Sequence, residues 1–212
     1  MTDLSTTAQA EQSAADGRTG GAGTATVAFK PLFEVSPAAK DLVAAAEARF
    51  QSALAESAAE FRFGPIQAAA KDLPGGSLVR IIPGFGLQEQ APTHVMVLTL
   101  KEAVRQALSR PLDNDEFWER TEKALTSAFV GLGEQLDAPH LVLRPTAEGT
   151  SYDYHLLFAL EDEETEGFLY VVAFCVHVTV GLDRAQVLEL SVEDTAPYSI
   201  RLDALCVRQP VA

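Results

Sequence analysis

The sequence predicts an α+β protein: a three-layer sandwich in which a mainly antiparallel sheet lies between two layers of paired helices. Three observations lead there. Helical periodicity dominates the chain from about residue 37 to 130. From His140 the apolar period shifts to two. Phe168 to Val180 is apolar on both alternating faces, so that strand needs a layer above and a layer below it. Helices that precede and strands that follow favour hairpin-joined antiparallel pairing over a wound parallel sheet, which would alternate helix and strand to the end.

Taken in order, residues 1 to 25 carry almost no large apolar side chains and end in a Gly-rich run. They cannot bury enough surface to offset their ordering entropy, which predicts a disordered tail before a single domain over 26 to 212. A short strand is expected at Thr26 to Phe33, then a helix starting at Ser36-Pro37, with Ser as N-cap and Pro at the first helical position. Leu42, Ala46, Phe50, Ala53 and Leu54 recur at helical spacing. Gly64-Pro65 restarts a second helix carrying Ile66, Ala69, Ala70 and Leu73, which Pro74-Gly75-Gly76 stops.

Leu78 to Ile82 and His94 to Leu100 read as two strands, able to pair as a hairpin around Pro83-Gly84-Phe85-Gly86. Lys101 to Arg110 reads as a helix. Asp113 with Glu116 forms a capping-box-like start for another, with Phe117, Trp118, Leu125, Ala128 and Phe129 on its face. Strands are then expected at about 140 to 145, 152 to 160, 168 to 180, 186 to 192 and 198 to 207.

Composition narrows the function. A net charge of -14 disfavours nucleic acid as a partner and weakens attraction to anionic lipid, so a membrane activity would begin from zwitterionic lipid, a receptor, or a local patch that the sum conceals. Cys175 and Cys206 sit in apolar runs without metal-ligand spacing and read as free, buried thiols. The N-terminal segment has neither a basic start nor an apolar core of a secretory signal, which predicts synthesis in the cytoplasm. No run reaches the ~18 to 20 apolar residues of a spanning helix.

His94, His140, His155 and His177 lack metal-ligand companions in sequence, and there is no G-x-S-x-G or Walker loop. No cofactor, metal or enzymatic activity is therefore expected.

Phe168 to Val180 leaves two readings open. Thirteen residues at ~3.3 Å each span roughly 43 Å, while a tilted membrane strand needs only ~9 to 11 residues. The segment suits a central core strand, and it suits a bilayer if uncovered. Ahead of it, Glu161, Asp162, Glu163, Glu164 and Glu166 crowd a hairpin tip. At ~2.5 to 3.5 kcal/mol each at the bilayer centre, five ionised carboxylates add roughly 12 to 17 kcal/mol to crossing. Insertion would therefore leave the tip in water or be favoured by acid. His177, interrupting the apolar strand, belongs to the residue type that titrates near endosomal pH, and is a candidate pH-sensitive group beside those carboxylates.

The last third also carries a family resemblance. Thr150-Ser-Tyr-Asp-Tyr-His-Leu-Leu-Phe-Ala-Leu160, Gly167-Phe-Leu-Tyr170, Val187-Leu-Glu-Leu-Ser-Val-Glu-Asp194, Ala196-Pro-Tyr-Ser199 and Arg208-Gln-Pro-Val211 resemble, in order, the closing strands of the Cyt family of cytolytic δ-endotoxins. Upstream, Ala48-Arg-Phe-Gln-Ser-Ala-Leu54 is similar to a run in that family's first helix.

The resemblance implies a six-stranded sheet between two helical layers. It also implies a protein that binds lipid, rearranges, oligomerises and permeabilises membranes after release from the cell that makes it. Its implied inserting strands fall here on Tyr152, Tyr154, Leu156 and Phe158; on Phe168, Tyr170, Val172, Phe174, Val176 and Val178; and on Leu188, Leu190 and Val192. The chain is more acidic than the family pattern, and Val171 follows Tyr170 where some members carry a cysteine. A non-lytic protein holding a hydrophobic ligand, or a protein-interaction module, would share the same fold.

Overall fold

The computed structural model describes residues 27–57, 60–108, 115–146, 149–161 and 167–211. The chain runs β1 (Lys30–Glu34), a 3-10 turn (Pro37–Ala39), α1 (Lys40–Glu56), α2 (Phe63–Lys71), β2 (Ser77–Pro92), α3 (Thr93–Leu108) and α4 (Asp115–Thr126). It continues with a 3-10 turn (Leu132–Gln135), β3 (Leu141–Thr146), β4 (Gly149–Glu161), β5 (Phe168–Val180), α5 (Arg184–Leu188) and β6 (Thr195–Pro210). The expected tail and the expected cap at Asp113 lie outside the described residues.

The six strands form one open sheet in the order β1-β4-β5-β6-β2, with β3 pairing the other end of β4. Only β1 runs parallel to its neighbour, β4; the remaining pairs are antiparallel. Each central strand is apolar toward two layers, and the layers are the two helical pairs. Met96, Leu100, Phe117, Trp118, Leu125 and Phe129 of the α3–α4 layer pack on one face. Val43, Phe50, Leu54, Ile66 and Leu73 of the α1–α2 layer pack on the other. The α/β/α sandwich is as the apolar run required.

Four local expectations are corrected. The helix at Ser36 begins instead as a single 3-10 turn, and the Ser36 hydroxyl caps nothing: its backbone N–H donates to Glu161 Oε2 at 2.8 Å. His94 to Leu100 is no strand but the first half of α3. Its β-branched residues suggest a strand, yet Met96, Val97, Leu100, Ala103, Val104, Ala107 and Leu108 recur at helical spacing and are all buried. Loop carbonyls cap the helix, Thr93 N donating to Asp194 O (2.9 Å) and His94 N to Val192 O (3.1 Å).

The supposed hairpin turn at Pro83-Gly84 is an irregularity within one 16-residue edge strand along β6. The register shifts between Ile82 and Phe85, where Gly84 adopts φ 65° and its N–H donates to Asp203 Oδ1 at 2.8 Å.

The fourth correction concerns 186 to 192, which is not a strand. Asp183 accepts from Gln186 N (3.0 Å) while Gln186 Oε1 accepts from Asp183 N (3.2 Å), a reciprocal cap that starts α5. Asp194 then closes a turn by accepting from Ser191 N at 2.7 Å. Leu188, Leu190 and Val192 therefore belong to a helix end and a loop, and the third long strand is β6. Alternation of apolar residues lost to capping chemistry.

Candidate functional site

The pleat of β4, β5 and β6 sorts their side chains onto two unlike surfaces. Antiparallel register pairs Tyr154 with Val176 and Val176 with Leu202, and likewise Phe158 with Val172 and Val172 with Cys206. All of these face the α3–α4 layer and are buried. This surface is apolar along the whole length of the three strands. Phe158 stands edge-on to both Phe174 and Phe117, at 5.7 and 6.2 Å between centroids.

The opposite surface divides in two. Near the β4–β5 connection it is apolar, with Leu157, Ala159, Leu169, Val171, Ala173 and Val207 under α1 and α2. Toward the other end it becomes polar: Ser151 pairs with Thr179, Asp153 with His177, and His177 with Arg201. Here the α1–α2 cover ends, and the His177 side chain is 33% exposed. Phe168 to Val180 is thus doubly covered over its first two thirds, and the last third is covered fully only on the α3–α4 side.

Asp153 is the hub of this polar row. Its Oδ1 lies 2.5 Å from His177 Nδ1 and its Oδ2 2.9 Å from Arg144 Nη2. Burial pushes its carboxyl up, but the His177 hydrogen bond and charge, with Arg144 beside them, outweigh burial and hold it below the ordinary carboxylate range. Asp203 pairs with Arg201 at 3.3 Å.

His155 lies on the same surface, edge-on to Phe29 at 5.9 Å, fully buried, with neither ring nitrogen partnered. Burial drives its imidazole from 6.5 down to about 4. Cys175, its neighbour across the strands, and Cys206 on the other surface are both free and buried; burial raises both thiols, Cys206 to about 12.

Ten of the residues singled out from sequence, Tyr152, Tyr154, Leu156, Phe158, Phe168, Tyr170, Val172, Phe174, Val176 and Val178, fall on the one apolar surface. The sequence reading missed the polar row. Its signal was present in Ser151-Tyr-Asp-Tyr-His155, whose strict alternation differs from the unbroken apolar run that follows it. Of the acidic tip, Glu161 holds Ser36 as above; Asp162, Glu163, Glu164 and Glu166 lie outside the described residues.

Solved structures share this arrangement of sheet and helix pairs. A δ-endotoxin superposes with a TM-score of 0.82 at 25% identity, covering 87% of this chain and 82% of that one. The activated Cyt2Ba monomer from Bacillus thuringiensis subsp. israelensis superposes at 0.80 with 27% identity, covering 86% and 97%. The class is that of the δ-endotoxins. The sequence matches the Bacillus thuringiensis toxin family over residues 25–212, and the chain belongs to that family.

It is 29% identical over 161 residues to the Type-2Bb cytolytic delta-endotoxin of Bacillus thuringiensis subsp. jegathesan, covering 76% of this chain and 61% of that protein. It is 28% identical over 182 residues to the Type-2Ba protein of subsp. israelensis, covering 85% and 69%. The chain thus spans about two thirds of the length of these relatives.

Proposed function

We propose that this chain is a membrane-active cytolysin whose soluble form rearranges on lipid, self-associates and permeabilises the bilayer through its long strands, β4 and β5 first and β6 with them. The observation that carries the reading is the surface that β4, β5 and β6 turn to α3–α4, apolar along the whole length of the strands, where acyl chains can replace the helices without exposing it to water. Strands that insert must satisfy their backbone groups among themselves, and these three are already hydrogen-bonded neighbours in the sheet. No helix among the described residues is long and apolar enough to cross a membrane.

The net charge of -14 favours zwitterionic over anionic lipid. The test is dye release from neutral phosphatidylcholine vesicles. Leakage at submicromolar protein is expected, slowed when a third of the lipid is anionic and faster in acid, since ionised carboxylates at the tip oppose crossing. Vesicles that stay sealed at every composition and pH would overturn the proposal. A phospholipid retained by the protein through purification, without leakage, would favour a lipid-binding role.

A further inference from the structure

We infer that the two surfaces of the inserted sheet have fixed assignments: the surface now under α3–α4 meets acyl chains, and the polar end of the opposite surface, carrying Asp153, His177 and Arg201, lines the water-filled lumen and sets ion selectivity. This deepens the proposed function and rests on strand insertion.

The placement of the tyrosines carries the argument. The chain has four, and all four lie on the α3–α4 surface. Tyr152 stands opposite Val178 and Tyr198 opposite Val180, with Tyr154 one step inside, whereas Tyr170 stands at the far end opposite Leu160 and Arg208. From Tyr170 to Val178 or Val180 is 8 or 10 steps along β5, roughly 26 to 33 Å, or about 20 to 25 Å once tilted as membrane strands are. Membrane barrels carry an outward apolar band ≈ 25 Å tall between aromatic girdles. Here Leu156, Phe158, Val172, Phe174, Leu202 and Ala204 fill the interval.

The other surface cannot take that role. Asp153, Arg201 and Asp203 would meet hydrocarbon at a cost no partner in the lipid offsets. It is also where His155 keeps two ring nitrogens without hydrogen bonds in the soluble fold, a deficit that lumen water would fill. Alternation in the girdle half of each strand thus reads apolar-out and polar-in, the signature of a barrel wall. With β3, and so Arg144, outside the inserting strands, Asp153, Asp203 and Arg201 leave one net negative charge on the row and a mild preference for cations.

The experiment uses single cysteines at Ser199, Ile200, Arg201 and Leu202 in a Cys175→Ala, Cys206→Ala background, on neutral phosphatidylcholine bilayers. A charged aqueous thiol reagent should change single-channel conductance through the cysteines at 199 and 201 only. A lipid-dissolved reagent should reach 200 and 202 at least tenfold faster after membrane binding than before. Conductance changes through 200 and 202 in place of 199 and 201 would overturn the face assignment while leaving insertion standing. Cysteines at 200 and 202 that stay inert in a protein that still leaks dye would overturn insertion itself, and the assignment with it.

Arg201, whose side chain is 61% exposed, gives an independent readout that does not disturb the core. Arg201→Gln should move the reversal potential toward stronger cation selectivity by several-fold in permeability ratio, and an unchanged potential would overturn the lumen assignment.

Discussion

The two helical layers cover the same sheet by different means. The α3–α4 layer presents large side chains, among them Phe117, Trp118, Leu125 and Phe129, to a surface apolar along its whole length. It is fastened at its margin by Arg120, which bonds Glu34 and the Phe33 carbonyl, while Lys101 of α3 ties the two helices together through Glu122 of α4 at 2.6 Å. The α1–α2 layer buries Ala46, Ala53, Ala69 and Ala70 among a few larger residues, lies over only part of its surface, and leaves a groove of about 530 Å³ between the helices on its outer side. Small residues bring helices close and remove little area from water, so this layer holds by fewer and smaller contacts. What the contrast teaches is that the strongly held cover protects a surface apolar along its whole length, and the weaker one a surface that is apolar only as far as the polar row.

The largest expected effect follows from fixing the stronger layer. Cysteines in place of Arg120 and Glu34, both near the surface, joined by a short cleavable linker, would staple α4 to the sheet edge. Dye release should fall at least tenfold and return on cleavage. Leakage at the unlinked rate would show that lipid does not need to displace α3–α4.

Stability should separate the layers next. Phe129→Ala removes a fully buried ring packed edge-on to Tyr198 at 5.7 Å and should cost about 3 to 5 kcal/mol in urea unfolding. Val43→Ala in α1 should cost about 1 to 2 kcal/mol. Equal losses would erase the distinction.

A last effect is in pH. The folded-state pKa of His155 lies below its unfolded value, so the unfolded chain binds the proton first, and stability declines as pH falls from 6.5 toward 4. At pH 5 the protein should be about 2 kcal/mol less stable than at pH 7.5 through this group alone. His155→Leu should flatten that slope; an unchanged slope would assign the acid response to other groups, including Asp153, whose lowered pKa makes its contribution vanish only in stronger acid.

Much of this was legible. The boundaries expected for Phe168 to Val180 coincide with β5, because an unbroken apolar strand has no competing local chemistry. The faces of α1, α2 and α4 were readable from spacing alone. His94 to Leu100 and 186 to 192 misled for opposite reasons: in the first, burial in a helix overrode β-propensity; in the second, the Asp183–Gln186 cap was present in the sequence and outweighed the alternation. The polar row escaped notice because Asp153, His177 and Arg201 are 24 residues or more apart and become a row only through register.

From residue pattern alone came the layer order, the long apolar strands and the family, since periodicity and local wording are properties of neighbouring residues. Which surface of the sheet is continuous hydrocarbon and which carries charge was decided by strand pairing across the fold. A pleat gives each residue a side, but only hydrogen-bonded register with distant strands determines what stands beside it.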